Sequence, residues 1–123
     1  MSGNSLFLDT NIVLYLFSGD KTIAELLDGK NIFISFITEL EILSYPELNP
    51  EQTKNAKAFI NDVSLVDINS EIKRIVVELR KSYKIKLPDA IIAASAYYLN
   101  VPLFTADKGF SRLSELNILL YEA

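Results

Sequence analysis

Short unbroken apolar runs alternate along this chain with longer stretches in which apolar residues recur every three or four positions. The runs include Leu6-Phe7-Leu8, Ile32-Phe33-Ile34 and Leu103-Phe104. Runs of that length bounded by polar turns predict buried strands, and the longer period predicts amphipathic helices. Strands are expected over 5–8, 31–35, 64–68, 102–105 and 118–121. Helices are expected over 12–17, 21–27, 36–44, about 50–62, 70–84, 88–99 and 108–113. Polar punctuation separates them: Asp9-Thr10-Asn11, Ser18-Gly19-Asp20 and Asp28-Gly29 read as turns, and Pro46 halts the helix before it. Asn49-Pro50 reads as an N-cap followed by a proline in the first helical position. Ile72, Ile75, Val76, Leu79 and Tyr83 form one stripe, and Ala90, Ala93, Ala94 and Ala96 permit close helix packing. On the helix after the second strand, Ile37, Leu40 and Leu43 make a shorter apolar stripe.

Strands alternating with helices predict an α/β domain whose parallel sheet of about five strands is covered on both faces. The 123 residues fit one domain, with no internal repeat, linker or low-complexity tract. Met1-Ser2-Gly3-Asn4 is small and polar and reads as a loose end. With 50% of residues hydrophobic, a substantial core is expected. No apolar run approaches the roughly 20 residues of a membrane span, and no basic-then-apolar leader opens the chain. The reading is a soluble cytoplasmic protein without a membrane partner.

Composition narrows the chemistry. The chain has no Cys and no His, which removes disulfides, thiolate catalysis, cysteine-based zinc sites and imidazole acid–base chemistry. Carboxylates, Lys, Tyr, hydroxyls and oxygen-bound metals remain. The net charge of −4 argues mildly against broad nucleic-acid binding. Four acids account for that excess in size: Asp9, Glu41, Asp89 and Asp107. In an open α/β sheet, ligands bind beyond the carboxyl ends of the strands. Asp9 and Asp107 follow the first and fourth expected strands, and Asp89 lies at a helix start.

Each has an ordinary explanation. An Asp between a strand and a helix caps the helix, and an acid in a first turn complements the helix dipole. Together they say more, because carboxylates packed on one rim repel unless they protonate or bind cations. Hard oxygen donors suit Mg²⁺ or Mn²⁺. Water activated by one or two such ions, attacking a phosphodiester in line, is the reaction this set best supports. The fourth acid is ambiguous: Glu39 and Glu41 sit about 200° apart on their helix and both flank the apolar stripe.

Four stretches, in order, resemble the PIN-domain ribonucleases, and within them the small VapC-type toxins. They are Leu6-Phe7-Leu8-Asp9-Thr10-Asn11-Ile12, Ile34-Ser35-Phe36-Ile37-Thr38-Glu39-Leu40-Glu41, Leu87-Pro88-Asp89-Ala90-Ile91-Ile92-Ala93-Ala94, and Leu103-Phe104-Thr105-Ala106-Asp107-Lys108-Gly109-Phe110. The resemblance implies a three-layer α/β/α fold over the whole chain, with Asp9, Glu41, Asp89 and Asp107 as catalytic and metal-binding acids. It is the resemblance that selects Glu41 over Glu39. It further implies that Asn11 and Thr105 support the site by hydrogen bonds. The expected activity is Mg²⁺- or Mn²⁺-dependent endonucleolytic cleavage of RNA, using one or two ions. Homodimers and inhibition by a co-encoded antitoxin protein are also implied. The segment Ser44-Tyr45-Pro46 departs from the family's usual glycine, and Glu39 is an extra acid beside the site.

Arg80, Lys81, Lys84 and Lys86 cluster just before Asp89, and Lys108 adjoins Asp107. Lys84, Lys86 and Lys108 are candidates for holding RNA phosphates, against the plainer reading of a solvated helix end. Tyr97 and Tyr98 are expected to pack rather than stack on bases. Other functions fit less well. A phosphorylation receiver would need its acceptor at the third strand, where only Asp67 stands, and paired acids after the first. An aspartyl phosphatase would need a second acid in Asp9-Thr10-Asn11. A catalytically inactive or housekeeping PIN-like RNA-binding module is the alternative that shares the fold.

Overall fold

The computed structural model describes residues 4–122, so the expected loose end at Met1 to Gly3 lies outside them. Five strands form one parallel sheet: β1 (Ser5–Leu8), β2 (Asn31–Ser35), β3 (Ser64–Val66), β4 (Leu103–Thr105) and β5 (Ile118–Leu120), in the order β3-β2-β1-β4-β5. Helices α1 (Thr10–Phe17), α2 (Lys21–Leu27), α3 (Phe36–Leu43), α4 (Pro50–Asp62), α5 (Ser70–Ser82) and α6 (Leu87–Leu99) connect them, with a 3-10 helix at Lys108–Arg112. The expected α/β/α architecture is therefore present.

Side chains alternate across a strand, and β1 shows why its sequence is apolar at every position. Phe7 packs with α5 and α6, while Leu6 and Leu8 pack on the opposite face with Ile12, Val13, Ile23 and Ile42. Leu103 and Phe104 divide between the same two clusters. A strand covered on both faces needs apolar residues on both. The α5 stripe is buried as expected at Ile72, Ile75, Val76 and Leu79, and the small residues of α6 are buried from Ala90 to Ala96.

Several boundaries differ from the expectation, each for a local reason. β3 stops at Val66 rather than residue 68, because Asp67 turns its side chain onto the Ile68 N–H at 2.9 Å and Asn69 then caps α5. α1 begins at Thr10, two residues early, because Asp9 already serves as its N-cap. α5 ends at Ser82, so Tyr83 and Lys84 leave the helix: Tyr83 is extended, and its hydroxyl donates to Glu115 at 2.7 Å. The helix expected over 108–113 is the tighter 3-10 form over Lys108–Arg112, with Leu113 as its C-cap. Tyr97 and Tyr98, expected to pack, stand 48% and 45% exposed.

The α3 stripe is the clearest reversal. Leu40 is 56% exposed and Leu43 is also exposed, while Thr38 and Ile42 face the core. The helix turns a threonine inward because that hydroxyl has a partner, Thr10, at 2.9 Å. Truncating the buried face should cost far more than truncating the apolar-looking one. Ile42→Ala is expected to lose about 2–5 kcal/mol of folding stability, and Leu40→Ala to stay within about 0.5 kcal/mol, measured by urea unfolding. Equal losses would return Leu40 to the core.

Candidate active site

Strand order fixes the site. β1 lies between β2 and β4. The chain leaves β1 for β2 on one side and returns from β3 to β4 on the other, and this change of direction opens a crevice at the carboxyl end of β1. Asp9 stands there with its backbone N–H on the Phe104 carbonyl at 3.0 Å. Its side chain is buried and held by two donors: the Thr105 hydroxyl to Oδ2 at 2.6 Å and the Thr10 N–H to Oδ1 at 2.8 Å. The Thr105 hydroxyl also accepts the Asp107 N–H at 3.0 Å, so one threonine ties two of the acids.

The next two residues make equivalent ties. Thr10 donates its hydroxyl to Glu41 Oε1 at 2.6 Å. Since that uses its only proton, the buried Thr38 hydroxyl must donate to Thr10 across their 2.9 Å contact. Asn11 accepts the Ala106 N–H at a longer 3.4 Å. Asp9, Thr10 and Asn11 thus reach β4, α3 and the turn before Asp107 in succession. Asp107 is exposed and caps the 3-10 helix, its Oδ1 accepting the Gly109 N–H at 2.8 Å. A Cβ at residue 109 would sit 3.0 Å from that oxygen, so glycine spares the carboxylate a small displacement. Asp89 is half-buried in the first turn of α6.

Charge links these groups. Burial pushes the Asp9 carboxyl up to about 6, and Asp89 and Asp107 push the same way against the Thr105 and Thr10 hydrogen bonds. Asp89 is raised as well, first by burial, then by Asp107 and Glu41, with Lys86 opposing. Glu39 is not among the charges acting on either. Among the described residues, no three acidic side chains meet closely enough to hold a metal ion. Asp9 and Glu41 are instead engaged by Thr105 and Thr10. The donor chemistry nevertheless fits a hard divalent cation, because all four groups are carboxylates and their crowding is what such a charge relieves.

Of the candidate cations, Lys84 and Lys86 line a cavity with Asp89 and Asp107, whereas Lys108 is not part of its lining. Thr10, Thr38, Gly109 and Arg112 also shape the site and were not singled out in the sequence. Thr10 sits inside the turn that drew attention to Asp9, but nothing local marks Thr38 as its partner.

The sequence model of the PIN domain matches residues 6–116. No curated protein sequence matches the chain. Among solved structures, a chain of a toxin–antitoxin complex from Klebsiella pneumoniae superposes with a TM-score of 0.84 at 30% identity, covering 96% of this chain and 99% of the other. VapBC-1 from nontypeable Haemophilus influenzae gives 0.82 at 28% identity, covering 94% and 97%. VapBC2 from Rickettsia felis, bound to a DNA fragment from its promoter, gives 0.81 at 22% identity over 96% and 99%.

The raised Asp9 carboxyl sets a pH dependence. Between the unfolded value of 3.8 and the native value of about 6, the folded chain binds a proton that the unfolded chain does not. Stability without divalent cations should therefore rise as pH falls from about 7 to 5, by on the order of 1–3 kcal/mol, and Asp89 acts in the same direction. Urea unfolding in chelator at several pH values checks this. Asp9→Asn should remove most of the rise, and an unchanged slope in that variant would contradict the assignment.

Proposed function

We propose that this chain, which belongs to the PIN domain family, is a Mg²⁺- or Mn²⁺-dependent endoribonuclease and the toxin of a toxin–antitoxin pair. The observation that carries the reading is the repulsion linking four carboxylates from separate segments at the β1 switch point, in which the buried Asp9 is acted on by Asp89 and Asp107, and Asp89 by Asp107 and Glu41. A fold that keeps such a cluster at the expected ligand crevice is arranged for a counter-charge and an anionic substrate.

Asp9, Glu41, Asp89 and Asp107 would hold the one or two cations. A bound divalent cation would supply Lewis acidity toward a phosphodiester and lower the cost of deprotonating water. The residues themselves do the rest. Thr105 orients Asp9 and favours its ionised form through a short charge-assisted bond, while Asn11 steadies the turn that presents Asp107. Glu41, exposed on the rim and aimed by Thr10, can accept a proton from water held in the crevice. Lys84 and Lys86 place positive charge where the flanking phosphates of RNA would run.

An antitoxin partner is supported by the company the fold keeps: the Klebsiella pneumoniae neighbour comes from a toxin–antitoxin complex, and the Haemophilus influenzae neighbour is VapBC-1. Homodimer formation is part of the same proposal, with Val77, Tyr97 and Tyr98 offering exposed apolar surface on α5 and α6.

The test is cleavage of single-stranded RNA with Mg²⁺, Mn²⁺ or chelator. Wild type should cleave only with the cation, and Asp9→Asn and Asp89→Asn should each lose about 100-fold or more. Equal activity in the three proteins would sink the reading. Independently of activity, saturating cation should stabilise the native chain, by about 2.7 kcal/mol at a hundredfold excess over Kd. That gain should be largely absent in Asp9→Asn.

A further inference from the structure

The loop joining α5 to α6, residues 83–86, is held at three points although it spans only a short gap. Arg112 reaches from the 3-10 helix and donates Nη2 to the Lys84 carbonyl, while its Nε donates to the Gly109 carbonyl at 3.0 Å. Arg80, from α5, donates Nε to the Ile85 carbonyl at 3.3 Å. The Tyr83 hydroxyl donates to Glu115 at 2.7 Å. Two arginines thus each hold one backbone carbonyl of the loop, and Arg112 joins it to the 3-10 helix through Gly109. What their arrangement does fix is a wall. Lys84, Lys86 and Arg112 line a cavity of about 220 Å³ whose other lining includes Asp89 and Asp107.

The placement of charge in that cavity is uneven. Its acids belong to the reacting crevice, whereas its cations come from the loop and from Arg112. A phosphodiester strand crossing the crevice carries a charge at every nucleotide, so the phosphate next to the one being cut needs cations beside the acids to offset their repulsion. The volume admits a group several times the roughly 30 Å³ that a liquid water occupies.

We propose that this cavity seats the RNA phosphate adjacent to the scissile one, and that Arg112 is a positioning residue that latches the Lys84–Ile85–Lys86 segment to the turn bearing Asp107. The inference rests on the ribonuclease reading for its substrate. The latch depends on geometry: the guanidinium spans two carbonyls on two elements, a reach that a lysine with the same charge cannot reproduce.

The measurements are binding of a fluorescent single-stranded RNA oligonucleotide in chelator and, with Mn²⁺, separate determination of kcat and KM across a salt series. Arg112→Lys should weaken oligonucleotide binding and raise KM about fivefold or more, flatten the salt dependence of both, and leave kcat within about twofold. Lys84→Gln combined with Lys86→Gln should do the same, and adding Arg112→Lys to that pair should change little, since the latch acts through those lysines. The lysine pair lies on the surface and keeps the proposal testable if Arg112→Lys melts. The proposal is overturned if Arg112→Lys behaves as wild type, if the lysine pair binds normally, if the effects multiply, or if kcat falls at constant KM. A protein that binds the oligonucleotide in this manner but cleaves nothing with either cation keeps the phosphate seat and loses the ribonuclease reading.

Discussion

Everything at the crevice hangs from the turn that ends β1. Three consecutive side chains, Asp9, Thr10 and Asn11, contact three different parts of the chain: Thr105 on β4, Glu41 and Thr38 on α3, and Ala106 in the turn beyond. α3 lies far in sequence from β4 and the turn that follows it, and both lie far from Asp9. The turn can do this because β1 is the central strand with a neighbour on each edge, so a residue leaving its end is within reach of both halves of the sheet. The apolar run that precedes it is what makes the turn rigid. Phe7 and Leu8 are fully buried on opposite faces, and a strand gripped on both sides cannot shift its register without exposing one of them.

That rigidity has an electrostatic cost. A carboxylate packed inside the domain beside two others is disfavoured in its charged form, which is why Asp9 titrates near 6 rather than at its ordinary value of 3.8. The opposing hydrogen bonds, from Thr105 and the Thr10 backbone, recover part of the loss. Such local disadvantage is tolerable when the surrounding packing over-determines it, and it concentrates where chemistry is done. The alanines of α6 supply some of that packing, letting the helix lie close to the sheet with Asp89 in its first turn.

Much of this was legible in the chain. Strand and helix periods identified every element, because both depend on burial, and burial is written in apolar spacing. Asp9, Asp89 and Asp107 were legible by position, each sitting at a strand end or helix start. The choice of Glu41 over Glu39 came from resemblance, since two residues on one helix flank the same stripe from either side. The geometry shows what periodicity could not: α3 is oriented by a polar pair, Thr10 and Thr38, and its apolar stripe faces outward at Leu40. Helix α5 ends earlier than its apolar period predicts for a related reason. Its end is set by distant partners, Glu115 for Tyr83 and Arg112 for Lys84, and no local signal announces a contact across that separation.

The pairing of β1 with β4 has a consequence for the order in which the molecule comes into being. Thr105 and Asp9, joined by one of the shortest hydrogen bonds at the crevice, are 96 positions apart. Asp9 is made well before Thr105, and until β4 is made it lacks the hydroxyl that orients its carboxylate. Contacts so distant form slowly, because the intervening chain must first be closed into a loop. β1 can pair with β2 before β4 exists, and its second edge, with the Asp9 carboxylate, is completed only when that distant pairing closes.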